Sequence, residues 1–342
     1  MRRAGKAAFV IEPRPYPFVS SEVETRSPFN VPRLHSGRAA LLAFMAKPLP
    51  RQAILVVNAK SRQGAAAFEE ARERLIAAGV ELIDARAVKD PEKMDREVAS
   101  AVKRAPMVIV GGGDGSLSEA VDQFLGKDTV FAILPLGTAN SFARSLGIPL
   151  DLEGAVNVIA GGERRRIDLG AVDGDYFVNT ASIGLSPMIA ESVPPRLKRY
   201  LGRIGYLLWA LRCAFEFQPF RLRIEEGGTR HALWSTEVRI ANGGHFGGVE
   251  LVEAAELDSG EIVIEAVAGR SLFRLAWSWL AAVLRLSRSK SETVKFRGRE
   301  FRISTRPRQW VSIDGELSKR TPVIVRVARG AVEVAAPVEA QT

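Results

Sequence analysis

The sequence predicts two domains: an α/β N-terminal domain built on a parallel sheet, then a mostly antiparallel, β-rich C-terminal domain. Three observations carry this. Between residues 53 and 134, short apolar runs alternate with segments rich in helix formers, which calls for a parallel sheet with right-handed crossovers. The runs at 108–110 and 131–134 contain no polar residue and end in small-residue turns, as strands buried on both faces do. From Phe220 onward, short runs alternate apolar and polar residues, the pattern of strands with one solvated face.

Taken in order, residues 1–48 hold Pro13, Pro15, Pro17, Pro28, Pro32 and Pro48 without sustained periodicity and are expected to form a disordered leader. Met45 stands just before the first strand, so a later start codon is open. Residues 49–173 are assigned to the α/β domain and 174–337 to the β-rich one, with the last strand free to return to the first domain. A strand at 53–57 leads into a helix at 65–78, with Gly79 as its C-cap. A strand at 80–83, a helix at 91–104 and a strand at 107–110 follow. After Leu150 the character shifts to short strands at 164–170, 176–181 and 183–185. A helix at 196–217 comes next, then strands at 221–225, 236–241, 261–267, 300–305, 311–313 and 323–327. A helix at 271–286 interrupts them with Trp277 and Trp279 among its apolar residues.

Composition excludes several classes of protein. At 342 residues the chain is long enough for two substantial cores. Its 46% hydrophobic content is ordinary for a globular protein. Cys213 is the single cysteine, so no intrachain disulfide forms and a reducing compartment fits. His35, His231 and His245 are too scattered for a zinc cluster. No uncharged apolar run reaches the roughly 18 residues of a transmembrane helix, and the basic N-terminus lacks the apolar core of a secretory signal. The formal charge is +9, yet residues 51–150 carry 13 basic and 13 acidic side chains and are neutral. Basic character thus lies outside the glycine-rich domain, which argues against a nucleic-acid coat.

Chemistry concentrates in the stretch from Val108 to Asn140. Gly111, Gly112, Gly113 and Gly115 put backbone N–H groups in the open at a helix N-terminus. Glycine allows close approach of a ligand to such a turn, and the helix dipole favours phosphate oxygens there. Asp114 fits direct phosphate contact poorly unless it holds a metal or a nucleotide hydroxyl; the alternative is a tight turn with Asp114 as a cap. No Gly-Lys-Ser/Thr follows, so this is not a P-loop, and Ser116 stands where a dinucleotide fingerprint has its third glycine. A second polar turn, with Pro135, Gly137, Thr138 and Asn140, follows the next strand at the same sheet edge, where open α/β sheets bind ligands. Late in the chain, Ser312-Ile-Asp-Gly-Glu316 reads as a strand-turn-strand. A hairpin alone explains Asp314 and Gly315 but not Glu316.

Together, Gly-Gly-Asp-Gly-Ser and Leu-Pro-Leu-Gly-Thr-Ala-Asn-Ser-Phe-Ala-Arg resemble the diacylglycerol kinase catalytic-domain family of lipid kinases, over roughly residues 52–336. The resemblance implies a first domain like that of NAD kinases and phosphofructokinases. It implies ATP and Mg2+ as cofactors and transfer of the γ-phosphate to a hydroxyl of a diacylglycerol- or sphingoid-like lipid. Cofactor binding is carried over to Asn58, Ser61, Gly112, Gly113, Asp114, Gly115, Ser116, Glu119, Gly137, Thr138 and Asn140. At the first strand's end, Ala59 replaces the family's proline and Gly64 arrives two residues late, so a plain strand-to-helix turn is equally open. Glu316 is carried over as proton acceptor with Asp314 close by, and Asp114 as the catalytic metal ligand. The family's structural Mg2+ turn, Leu-Asp-Asp-Gly, is Leu257-Asp258-Ser259-Gly260 here. Ser259 removes one carboxylate and leaves Asp258 as the remaining candidate.

Alternatives are an NAD-kinase-like small-molecule kinase, a non-catalytic nucleotide-binding regulator and a purely structural protein. The partners expected are ATP and a lipid substrate, with no nucleic acid; a homodimer is open. A cytoplasmic protein held peripherally at the inner face of the membrane is expected. Residues 270–308 carry 11 basic and 2 acidic side chains, a net +9, beside the Trp277/Trp279 helix. Arg196, Lys198, Arg199 and Arg203 lead into the other aromatic-rich helix. Aromatic residues beside basic clusters suit anionic headgroups; the alternative buries both helices in the second domain.

Overall fold

A computed structural model of the chain describes residues 48–60, 62–194, 209, 212–213, 216–246, 249–250, 255–269 and 293–338. The expected leader up to residue 47, Ser61, most of the helix expected at 196–217 and all of that at 271–286 lie outside the described residues.

The first domain runs β1 (Gln52–Asn58), α1 (Arg62–Ala77), β2 (Glu81–Val88), α2 (Pro91–Val102), β3 (Met107–Gly112), α3 (Asp114–Val121), β4 (Val130–Pro135), α4 (Ser141–Ser145) and α5 (Leu152–Gly161). Strands β2, β1, β3 and β4 pair in that order, all parallel. Every residue of β3 and β4 is buried, so their apolar runs show no alternation. Phe124, just after α3, stacks on Phe131 near the start of β4 at 4.4 Å between ring centres. Helix α1 stops where Gly79 takes φ +85° and the Val80 N–H reaches back to the Leu75 carbonyl at 3.0 Å, a glycine C-cap. Helix α2 starts with Pro91 in its first turn and Asp90 accepting from the Glu92 N–H at 3.2 Å.

The second domain contains β5 (Glu163–Val172), β6 (Asp175–Phe177), β7 (Thr180–Gly184), α6 (Leu185–Ser192), β8 (Phe220–Glu226), β9 (Thr229–Ala241), β10 (His245–Phe246), β11 (Val249–Glu250), β12 (Ile262–Ala268), β13 (Thr293–Gly298), β14 (Glu300–Arg306), β15 (Trp310–Ile313), β16 (Glu316–Arg320) and β17 (Val323–Ala336). Its pairings are antiparallel. Phe177, Phe220 and Phe301, all fully buried, anchor its core.

Strand β17 joins the two halves. Its first residues pair antiparallel with β14, and Glu333 and Val334 pair parallel with Val130 and Phe131 of β4. One continuous sheet results, ordered β16-β15-β7-β9-β8-β14-β17-β4-β3-β1-β2. Asp168 clamps the joint, accepting from the Gly330 N–H at 2.7 Å and the Gly260 N–H at 2.6 Å.

Several elements differ from expectation. The strand expected at 183–185 ends at Gly184, whose φ of +114° turns the chain into α6. Strand β9 begins at Thr229 and not at 236, because its first residues are exposed on both faces and show no period. Helix α5 and strand β13 were not anticipated; β13 sits inside the basic run, where charge hides its alternation.

Candidate active site

The ends of β3 and β4 lie side by side, and the Leu136 N–H donates to the Gly112 carbonyl at 3.0 Å. Their two turns therefore touch. A Cβ on Gly137 would lie 2.6 Å from the Gly113 Cα, and one on Gly112 would lie 2.8 Å from the Ser116 Cβ. Gly113 leads into α3 without a side-chain cap, so the first N–H groups of α3 stay open. Asn58 reaches across from β1 and donates to the Ser116 hydroxyl at 2.9 Å.

Asp114 caps a helix, but not its own: Oδ1 accepts from the Phe142 N–H of α4 at 3.2 Å. Asn140 is 4% exposed and left-handed at φ +49°. Its Oδ1 accepts from the Gly137 N–H at 2.9 Å, and its Nδ2 donates to the carbonyls of Gly137 and Pro135 at 3.0 and 3.3 Å. Both amide atoms thus shape the turn from within. Gly115, Gly137 and Thr138 are exposed on its open side.

The facing wall is the β15–β16 hairpin. Asp314 and Gly315 form its two-residue turn with φ of +44° and +99°, the signs a type I′ turn requires. The Asp314 carboxylate accepts four hydrogen bonds. Ser118 Oγ of α3 donates at 2.6 Å, and the N–H groups of Val178, Asn179 and Thr180 donate at 3.0, 3.2 and 3.1 Å. Burial pushes this carboxyl above the ordinary aspartate range, while the four donors stabilise its charge and act against that. Asp314 therefore ties α3 to the crossing between the domains.

Beyond Asp314, a cleft of about 430 Å³ is lined by Gly115, Ser118 and Glu119 on one side and Ile313, Glu316 and Leu317 on the other. Partial burial, then repulsion from Glu316 and Asp95, push the Glu119 carboxyl up; Glu119 is exposed enough for solvent to screen much of this.

Of the residues singled out from sequence, Asn58, Gly112, Gly113, Asp114, Gly115, Ser116, Gly137, Thr138 and Asn140 gather at the paired turns. Glu119, Asp314 and Glu316 meet across the cleft. Ser118 and Asp175, also at the cleft, were not singled out. Ser118 has no local signature, since its partner lies 196 residues away.

Asp258 stands elsewhere. Its Oδ2 accepts from Arg165 at 2.6 and 3.0 Å, and Ser259 Oγ donates to the backbone carbonyls of Glu256 and Glu261. Among the described residues no three His, Cys, Asp or Glu side chains gather as a metal site. In this turn the Asp258 carboxylate is matched by the Arg165 guanidinium, and Ser259 stands where the family's second aspartate would be. Asp114 does fit a metal carried by nucleotide phosphates, since among the described residues its Oδ2 makes no hydrogen bond and Mg2+ at such sites takes one or two carboxylates.

Two family models together span most of the sequence. The diacylglycerol kinase catalytic domain matches residues 52–172, and the YegS C-terminal NAD kinase beta sandwich-like domain matches residues 179–336. Over residues 52–172 the chain matches the diacylglycerol kinase catalytic-domain family. A Chromohalobacter salexigens protein named as a YegS-like lipid kinase is 37% identical over 178 residues, 50% of this chain and 56% of that protein. The diacylglycerol kinase of Bacillus subtilis (strain 168) is 35% identical over 132 residues, 38% of this chain and 44% of its own. The chain thus matches about half the length of these relatives. A crystal structure of a proposed diacylglycerol kinase from Bacillus anthracis str. Sterne superposes with a TM-score of 0.73 at 24% identity, covering 85% of this chain and 99% of that one. At that identity the likeness shows the fold: a parallel α/β domain followed by an antiparallel β-rich one. Both the family resemblance and the fold class read from sequence are borne out.

Proposed function

We propose that the protein is an ATP-dependent lipid kinase that phosphorylates a hydroxyl of a diacylglycerol- or sphingoid-like lipid. One observation carries this reading: Glu316 lines the same cleft as Gly115 and Glu119 of the glycine-turn helix. Phosphoryl transfer needs a phosphate cradle and a group to take the proton of the attacking hydroxyl. The open N–H groups of α3 cradle phosphates, Asp114 Oδ2 would hold a metal carried by the nucleotide, and Glu316 accepts the proton. When bound, Mg2+ offsets charge on the transferred phosphate. Asp314, assigned from sequence as catalytic, serves as a positioning residue, because both its oxygens are occupied by donors that fix the hairpin. An acceptor embedded in a bilayer requires docking at its surface. Among the described residues no helix is long and apolar enough to cross a membrane, and the formal charge of +9 suits anionic headgroups.

A radiolabelled-ATP assay tests this against a panel of hydroxyl lipids, with NAD and fructose 6-phosphate included. Transfer to a lipid is expected, with Asp114→Ala abolishing it and lowering stability by only about 1 kcal/mol, the cost of the lost α4 cap. Transfer to NAD or the sugar phosphate alone would replace the lipid reading with a small-molecule kinase. Unchanged turnover in Asp114→Ala would remove that residue from the site.

A further inference from the structure

The outer face of the second domain carries a group of arginines that the candidate active site does not use. Strands β8 and β14 pair antiparallel, with Arg306 directly opposite Arg221 and Ser304 opposite Arg223. All three arginines are exposed, as is Arg308 in the loop after β14. Together with Ser304 they line a concavity of about 370 Å³. Like charges directly across a strand pair repel, so this arrangement works against the sheet unless an anion sits between them.

Among the described residues no carboxylate answers them. Glu225, next along β8, pairs with Arg230 at 3.1 Å, and Glu300 on β14 pairs with Arg326 at 2.9 Å. Arg297 is likewise matched to Glu261. Among the described residues Arg221, Arg223, Arg306 and Arg308 take part in no ion pair. The loop that carries Arg308 is stiff. Thr305 and Thr321, both buried, share a hydroxyl–hydroxyl bond of 2.5 Å, and the Gln309 N–H donates to each at 3.1 Å. Beside the cluster, Trp234 stands opposite Arg221 on β9 and is 41% exposed.

We infer that Arg221, Arg223, Arg306 and Arg308 form a docking site for the phosphate headgroups of an anionic phospholipid membrane, with Trp234 at the headgroup level beside them. Guanidinium groups match phosphate oxygens in geometry and charge, and an aromatic ring next to them suits the bilayer interface. The inference rests on the lipid-kinase reading for its choice of partner. It relocates the contact expected at 270–308: Arg306 and Arg308 act with Arg221 and Arg223, which lie outside that window. The anchored loop leads directly into β15, whose four residues carry the chain to the turn before Glu316. A surface-docked protein is thus joined to its candidate base through one short strand, about 13 Å long, and the turn that follows it.

Vesicle sedimentation with phosphatidylglycerol/phosphatidylcholine mixtures tests the site. Wild-type binding should grow with anionic lipid and weaken with salt. The variant Arg221→Gln/Arg306→Gln should bind roughly tenfold to thirtyfold more weakly. Arg230→Gln/Arg326→Gln removes the same charge from ion-paired positions of the same sheet and should bind like wild type. Equal loss in both double variants would reduce the effect to net charge and overturn the site, as would no loss in the first or no vesicle binding by wild type. Calorimetry with inorganic pyrophosphate separates the sources: tight pyrophosphate binding without vesicle binding would make this a soluble-phosphate site and overturn the membrane assignment. Phosphoryl transfer to a water-soluble short-chain acceptor is measured alongside. Its absence from wild type would remove the kinase reading without touching the sedimentation result.

Discussion

The two walls of the cleft are held in place by different kinds of interaction. The glycine-turn wall comes from one uninterrupted stretch, residues 108–140, and its shape is a matter of backbone. Two wholly buried parallel strands end in register, Gly113 and Gly137 pack main chain on main chain, and Asn140 ties its own turn from inside. The hairpin wall draws on two distant segments, the 313–316 turn and residues 178–180, and one side chain joins them to each other and to the first wall. Asp314 bonds to Ser118, 196 residues away, and to the N–H groups of residues 178–180. A backbone-built wall is sensitive to added volume. A wall gathered by one carboxylate is sensitive to the loss of that charge, and the contrast can be tested by substitution.

The largest effects are expected at the hairpin, where two neighbouring acids should fail in different ways. Asparagine tolerates the left-handed backbone at position 314, so Asp314→Asn isolates the carboxylate. It sets an amide N–H2 against donors and should destabilise the protein by roughly 2 kcal/mol, with turnover falling alongside. Glu316 is exposed, so Glu316→Gln should leave stability within about 0.5 kcal/mol while turnover drops about a hundredfold or more with ATP binding kept. Thermal unfolding and a single-turnover assay separate the two. Equal destabilisation by both substitutions would erase the distinction between a positioning and a proton-accepting acid.

A smaller, cleaner contrast lies within the glycine wall. Gly137→Ala forces a Cβ against the Gly113 backbone, and neither main chain can yield cheaply; a loss of about 1–3 kcal/mol is expected. Gly115 has ordinary φ and open space where its Cβ would go, so Gly115→Ala should fold as well as wild type. Its expected signature is a raised ATP requirement, because that space faces the cleft. A normal ATP requirement in Gly115→Ala would show that no ligand approaches there.

The smallest effect joins the two walls electrostatically. The Glu119 carboxyl is pushed up by burial and then by Glu316 and Asp95. The folded protein therefore keeps this proton to higher pH than the unfolded chain. Between the ordinary glutamate value and the raised one, stability falls as pH rises. Carboxyl-carbon NMR titration should find Glu119 above its ordinary value in wild type and lower in Glu316→Gln. An identical titration in both proteins would mean that the two acids do not face each other.

Much of the first domain was legible because its signals are local. An apolar run of strand length, a glycine at the turn and a helix-forming segment occupy consecutive positions, so the parallel sheet and the paired turns could be read directly. The second domain was legible in class but less so in detail. Strand β9 starts seven residues before the alternating part of its sequence, since Thr229 to Ala232 are exposed on both faces and carry no period. Strand β17 extends to Ala336, past the segment expected at 323–327, because its second half is stabilised by β5 and β4.

At the site, the sequence alone determined which residue types stand at which turns: the glycines, Asp114, Asn140 and the Asp314-Gly315-Glu316 hairpin. It also determined the fold class and, through two motifs, the family. Only the tertiary structure decided what those residues do. Asp114 caps the neighbouring helix, Asn140 holds its own turn, Asp314 gathers three segments, and Asp258 faces Arg165. The physical reason is range. Backbone conformation is set by neighbours in sequence, whereas a carboxylate takes its role from the donors around it, and here those donors lie 28 to 196 residues away.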